Sequence, residues 1–121
     1  MTTETPSRDL WLVVAMVQPF KVDVIVLTLA RHPAYDGMTL TDCRGLPTIA
    51  GRGSAARGEE DEPQPRTRLE LLVTGRVQAE AIADAIAHAA HTGRYGDGKV
   101  LILPVQESIS IREFLPGVDA V

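Results

Sequence analysis

Residues 92–99 read TGRYGDGK and hold the residue types best suited to binding chemistry in this chain. Three glycines let the backbone turn sharply and come close to a ligand, while Arg94 and Lys99 add positive charge to the same short segment. Backbone N–H groups and cationic side chains are the groups that hold phosphates and other anions. The segment therefore indicates an anion-binding loop. A plain helix-to-strand turn with a glycine after the helix is the alternative.

The elements on either side of this segment distinguish it from a P-loop. Residues 78–91 are rich in alanine, with Ile82 and Ile86 one turn apart, and predict an amphipathic helix. Residues 99–105 are apolar and predict a strand. A P-loop joins a strand to a helix, so that the positive N-terminal end of the helix faces the phosphate. Here the helix ends at the loop, and the loop's own N–H groups and cations would have to hold an anion.

The remaining apolar segments predict three further strands and a second helix. The strands span residues 10–17, 38–44 and 68–74, and the helix runs from Val22 to a point before Pro33. Residues 108–112 could add a short edge strand, and Trp11 is expected to be buried. The order of these elements predicts an α+β, ferredoxin-like fold, a doubled βαβ unit whose helices cover one face of an antiparallel sheet.

Length, charge and cysteine content exclude several classes of protein. The 121 residues suit one domain, and the formal charge of −4 argues against sequence-independent binding of nucleic acid. Cys43 is the only cysteine, so neither an intrachain disulfide nor a cysteine metal cluster is possible. His88 and His91 are one turn apart but lack a third ligand, so no metal site is expected. The apolar run at residues 10–17 is too short to insert into a membrane, and we expect a cytoplasmic protein.

Residues 45–65 differ in composition from the rest of the chain. Glycines and prolines there enclose Arg52, Arg57 and an acidic run at residues 59–62, with few apolar side chains to offset the entropy of ordering. Long loops without secondary structure tend to be functional, so we expect a mobile loop that binds a partner. An insertion without a role is the alternative. Residues 1–9 and 113–121 are expected to be flexible tails around a domain at residues 10–112.

Three motifs resemble those of the PII signal-transduction family and occur in the family's order. In chain order they are QPFK at residues 18–21, GMTLT at residues 37–41, and residues 92–105 together with 108–112. The resemblance implies a homotrimer of ferredoxin-like subunits that binds adenine nucleotides in the clefts between subunits. It also implies that the long loop engages a partner protein.

The resemblance also assigns roles to individual residues. The adenine and ribose would contact Gly37, Met38, Thr39 and Glu70. The phosphates would be wrapped by Gly96, Asp97, Gly98 and Lys99, with Arg66 before the third strand and Arg112 from a neighbouring subunit. In the long loop, Gly45, Arg52 and Arg57 would contact an anion or an acidic surface of the partner.

Two departures from the family pattern affect the expected ligand. Ser110 stands where the family has a second arginine beside Arg112, and losing one charge-assisted contact costs about 1.5–3 kcal/mol. This favours ADP or AMP over ATP. Ile49 lies near the place where the family has a glutamine for magnesium and 2-oxoglutarate, and the loop lacks a tyrosine, so uridylylation and 2-oxoglutarate sensing are not expected. The departures are similar to those of PII-like branches, one linked to carboxysomes and bicarbonate transport and another encoded beside metal-efflux or other transporters.

Three functions remain open from the sequence. We expect a non-catalytic sensor that needs no cofactor, binds an adenine nucleotide with or without bicarbonate, and regulates a transporter or a carboxysome-linked protein. One alternative is a weak nucleotide hydrolase in which Asp97 or Glu70 activates water, although no nucleophile–base pair or metal-ligand cluster is evident. The other is a ferredoxin-like trimer that binds metal or acts as a scaffold, with a purely structural glycine loop.

Overall fold

The computed structural model describes residues 9–46 and 62–115. Within them the chain forms β1 (Leu10–Val17), a 3₁₀ turn (Pro19–Lys21), α1 (Val22–Ala30), β2 (Thr39–Gly45), β3 (Gln64–Thr74), α2 (Arg76–Ala90) and β4 (Gly98–Pro104). This is the predicted order of strands and helices, and the α+β, ferredoxin-like fold class is confirmed. No helix in these two ranges combines the length and apolar character needed to cross a membrane.

The strands pair in the order β2-β3-β1-β4, and every pair is antiparallel. β1 and β3 form the centre and β2 and β4 the edges. β1 is apolar throughout, and β3 buries every second residue from Thr67 to Val73. The register fixes which residues share a face: Val14 lies opposite Glu70 on one side and Leu101 on the other, and Thr39 lies opposite Glu70. The strand order thereby places the GMTLT motif, which runs into β2, and the GDGK motif, which runs into β4, at opposite edges of the sheet.

The core lies between one face of the sheet and the two helices. Side chains alternate along each strand, so every second residue of β1 and β3 points to the helices. Ile82 and Ile86 are fully buried on α2, as their spacing predicts, while Glu80, Asp84 and His88 are exposed. The other members of this core are Val13, Ala15, Val17, Ile25, Leu29, Leu69, Leu71, Val73, Ala79 and Ala90.

The opposite face of the sheet is apolar but uncovered in the single chain. Val14 is buried among its neighbours there, yet Leu72, Leu101 and Leu103 are each more than 40 % exposed. The register puts all of them on the face away from the helices, in adjacent strands. A contiguous apolar surface of this kind marks an association surface. We call the face formed by Leu72, Leu101, Leu103 and Val14 the open face.

Some sequence-based bounds are wrong. β3 begins at Gln64, four positions before the predicted start, because Gln64 and Pro65 pair with the end of β2. The predicted edge strand at residues 108–112 is absent: Glu113 donates its N–H to the Ser110 carbonyl at 3.1 Å, which makes a turn. The segment pairs with neither edge strand of the described sheet, β2 or β4. Trp11 is half-buried, with the Arg76 guanidinium 4.7 Å from its ring centroid.

Candidate functional site

The loop between α2 and β4 is tied closely to the end of β1. Gly98 has φ +103°, and it pairs with Val17 at the last position of the β1–β4 ladder. A Cβ atom at Gly98 would overlap the Met16 carbonyl group, so only glycine allows this approach. The Gln18 side chain donates a hydrogen bond of 2.8 Å to the Gly96 carbonyl. These contacts fix the loop against the sheet, and we call residues 92–98 the glycine loop.

Asp97 holds the loop together from within. Its carboxylate accepts hydrogen bonds from the backbone N–H groups of Thr92 at 2.7 Å and Gly93 at 2.8 Å, and from the Thr92 hydroxyl. The Thr92 oxygen in turn accepts the Arg94 N–H at 3.1 Å. The Thr92 hydroxyl and N–H groups, with smaller help from Gly93 and His91, lower the pKa of Asp97 from 3.8 to about 2. Asp97 is thus directed towards its own loop, and its contact with phosphate stays a prediction.

This arrangement predicts a specific acid sensitivity. Because the folded protein lowers the pKa of Asp97 to about 2, its carboxylate stabilises the fold fully above about pH 4, and that contribution is lost as the pH falls towards 2. The midpoint of thermal unfolding, measured by calorimetry, should therefore fall more steeply between pH 4 and pH 2 in the wild type than in Asp97→Asn. Parallel curves for the two proteins would contradict the assignment.

A cavity of about 400 Å³ opens between this loop and the ends of β2 and β3. Five residues predicted for anion binding line it: Gly45, Arg66, Gly96, Gly98 and Lys99. Its other lining residues, which the sequence motifs do not predict, are Met16, Cys43, Arg44, Leu46 and Tyr95. We call this cavity the anion pocket.

The anion pocket is electropositive. Arg44, Arg66 and Lys99 contribute cationic side chains, and no aspartate or glutamate is among its lining residues within the described chain. An Arg66 terminal nitrogen lies 3.0 Å from the position a Cβ would take on Gly96, so the guanidinium sits directly against the glycine backbone. A pair of guanidinium groups, an ammonium group and glycine N–H groups can together neutralise and orient a polyphosphate or a polycarboxylate.

The residues predicted for the base and ribose lie elsewhere in the same chain. Thr39 begins β2 and is paired with Glu70, whose carboxylate forms a 3.1 Å ion pair with Arg68. Lys99 is on β4, at the other edge, so Thr39 and Lys99 are separated by three interstrand spacings, or about 14 Å. Gly37 is exposed, and Met38 packs partly against the core. One chain does not bring the two halves of the predicted site together.

Of the remaining predicted residues, Arg112 is described by the structure and does not line the anion pocket. Arg112 lies in the turn after β4 with its side chain 89 % exposed, 3.8 Å from the Glu113 carboxylate. Arg52 and Arg57 lie outside the described residues, as does Ile49. Across residues 9–46 and 62–115, no group of three metal-ligating side chains occurs.

The family model of nitrogen regulatory protein P-II matches residues 10–114. Nitrogen regulatory protein GlnK2 of Haloferax mediterranei is 39% identical over 111 residues, covering 91% of this chain and 89% of that protein. Nitrogen regulatory protein P-II of Azospirillum brasilense is 35% identical over 109 residues, covering 88% and 96%.

A solved structure with the same architecture is that of Arabidopsis thaliana PII bound to citrate. It superposes with a TM-score of 0.68 at 26% identity, and the match covers 91% of this chain and 87% of that one. Trimers are typical of these proteins. The matched region contains the whole sheet, both helices and the glycine loop. The chain therefore belongs to the nitrogen regulatory protein P-II family.

Proposed function

We propose that this protein is a non-catalytic signalling subunit that binds ADP or AMP in the anion pocket and regulates a partner protein. The observation that carries the proposal is the composition of the pocket: Arg44, Arg66 and Lys99 converge with glycine backbone, and no carboxylate opposes them in the described lining. Two or three cations around glycine N–H groups match the charge of a diphosphate. The citrate bound to the Arabidopsis relative, itself a multiply charged anion, supports this preference.

The nucleotide site is proposed to be shared between subunits of a homotrimer. Thr39 and Glu70 are paired with each other on β2 and β3, on the same face of the sheet as Arg66 and Lys99, and neither lines the anion pocket of its own chain. The open face is apolar and needs a cover, and trimers are typical of the family. Stacking three sheets would bury the open face and bring the β2 edge of one chain beside the β4 edge of the next. Gly37, Met38 and Arg112 of a neighbouring subunit would then complete the site.

The proposal extends to a second ligand and a partner. Ser110 leaves the family's paired arginine position with only Arg112, which favours a diphosphate or monophosphate over ATP. Bicarbonate is the proposed second anion, held by the long loop through Arg52 or Arg57, and the partner is a transporter or a carboxysome-linked protein. The ordered form of the loop would bind or release that partner, which requires only that the ligand favour one loop state.

Turnover is not part of this proposal. The described lining of the anion pocket contains neither a carboxylate nor an imidazole to activate water, and Asp97 is held by three hydrogen bonds within its own loop. Glu70 is paired with Arg68 on the sheet surface. A binding site without a placed general base suits a sensor.

Calorimetric titration of the full-length protein with ADP, AMP and ATP, each with and without bicarbonate or 2-oxoglutarate, tests the proposal. We expect ADP to bind with a Kd of about 1–100 μM and Lys99→Ala to weaken it by roughly 10- to 100-fold, the usual loss for one charged contact. Arg31→Ala is the matched control, because Arg31 is exposed at the end of α1 and does not line the pocket. Absent binding of all three nucleotides, or equal binding by Lys99→Ala, would refute the site.

A further inference from the structure

A second concave surface lies on the other side of the glycine loop from the anion pocket. It encloses about 530 Å³ between the 3₁₀ turn at residues 19–21 and the loop. Phe20 and Tyr95 line it with 70 % and 83 % of their surface exposed, and Lys21 and Arg94 belong to the same lining. We call the surface formed by Phe20, Lys21, Arg94 and Tyr95 the aromatic-cationic face.

The charges of this face are not balanced within the described chain. The ion pairs found there involve neither Lys21 nor Arg94. Asp97 also lines the surface and stays ionised, although its carboxylate oxygens are directed to Thr92 and Gly93. On a chain with a formal charge of −4, two cations against one carboxylate leave this surface with a local excess of positive charge. A ligand for it should be acidic.

The exposed rings distinguish a protein partner from a free anion. Leaving Phe20 and Tyr95 in water forgoes the free energy of burying two large apolar surfaces, and aromatic residues with arginine are the residue types enriched at the centres of interfaces. We propose that the aromatic-cationic face docks an acidic segment of a partner protein. Its carboxylates pair with Lys21 and Arg94, and an apolar side chain packs between the Phe20 and Tyr95 rings.

The face uses Phe20, Lys21 and Arg94, residues of two motifs to which the proposed nucleotide site gives no role. Tyr95 lines both the anion pocket and the aromatic-cationic face. Gln18 belongs to the same surface and donates its hydrogen bond to the Gly96 carbonyl of the loop. Ligand and partner therefore contact opposite sides of one loop. Coupling between nucleotide binding and partner docking rests on the proposed nucleotide site, whereas docking itself does not.

Fluorescence polarisation with two labelled 12-residue peptides on the full-length protein tests the docking. One peptide alternates glutamate with leucine, and the other alternates lysine with leucine. The wild type should bind the acidic peptide, and the charge-reversed double variant Lys21→Glu/Arg94→Glu should lose it by about tenfold or more while gaining the basic peptide. Phe20→Ala/Tyr95→Ala should also bind the acidic peptide about tenfold more weakly, because its apolar contacts are lost.

Three controls make the test decisive. Arg31→Glu reverses an exposed charge away from the face and should leave peptide binding unchanged. ADP titration of Lys21→Glu/Arg94→Glu shows whether the fold and the nucleotide site persist, so failure of docking and failure of nucleotide binding are separate results. Three results would overturn the proposal. The wild type could fail to bind the acidic peptide, or Arg31→Glu could lose binding as much as the double variant. Free pyrophosphate could also displace the peptide completely while Phe20→Ala/Tyr95→Ala has no effect. A change in self-association of the double variant by sedimentation would reassign the face to a second copy and also overturn it.

Discussion

Gly98→Ala is expected to lower the free energy of unfolding by about 3–5 kcal/mol, the combined cost of backbone strain and overpacking. Gly98 has φ +103°, a conformation that side-chain-bearing residues rarely adopt. In addition, the new methyl group would overlap the Met16 carbonyl, a backbone atom that cannot swing away as a flexible side chain could. Urea unfolding followed by circular dichroism measures the change. Nucleotide binding should be lost as well, because the loop would have to move away from β1.

Gly37→Ala is the matched control for this substitution. Gly37 has a similar φ of +95°, but no atom lies within 4 Å of the position its Cβ would take. Its replacement should therefore cost only the conformational strain, about 1–2 kcal/mol. Equal destabilisation by the two substitutions would show that the close approach of Gly98 to β1 does not matter. Comparing the two free energies of unfolding thus separates the cost of the steric overlap from the cost of the backbone conformation.

Asp97→Ala should weaken ADP binding by roughly tenfold or more, the usual loss for hydrogen bonds to a charged group. The substitution frees the N–H groups of Thr92 and Gly93 and the Thr92 hydroxyl, which the carboxylate holds in place. Without these contacts the glycine N–H groups would no longer be preorganised for an anion. Calorimetric titration with ADP is the measurement.

Asp97→Asn tests whether the geometry or the charge of this residue matters. The asparagine oxygen can accept the two N–H groups, and its amide can donate to the Thr92 hydroxyl, so the loop should persist. We expect ADP affinity within about threefold of the wild type, or slightly higher, because a negative charge beside the phosphates is removed. If Asp97→Ala bound ADP as tightly as the wild type, the role of Asp97 in holding the loop would be disproved.

Much of the fold could be predicted because the apolar pattern is strong where pairing is extensive. β1 matches its predicted bounds, Leu10 to Val17, since an uninterrupted apolar run ends at Pro19. The early start of β3 was missed because Gln64 and Pro65 have low strand propensity, and pairing with β2 overrides it. Alternation of serine and isoleucine at residues 108–111 suggested a strand, but the chain turns at residues 111–113 and the segment pairs with no strand of the described sheet.

The site residues that could be predicted most directly are those that lie close together in the sequence. The glycines and Lys99 were identified by their spacing, and the structure brings them together with Arg66. Arg44 and Tyr95 were missed, because their place in the pocket depends on where β2 ends beside the glycine loop. The hydrogen bonds of Asp97 were also missed, since they depend on a turn that brings its carboxylate back to the end of α2. These contacts join segments far apart in the sequence or depend on the course of a turn, so the type and spacing of the residues alone do not reveal them.

The strand order has a thermodynamic consequence for the assembled protein. In the proposed shared site, a nucleotide that contacts Lys99 of one chain and Thr39 of its neighbour bridges two chains. Linkage then requires reciprocity: the factor by which assembly tightens nucleotide binding equals the factor by which nucleotide tightens assembly. Dilution would release ligand, and ligand would oppose dissociation. The fraction of sites that hold nucleotide would then depend on the concentration of the protein as well as on that of the nucleotide.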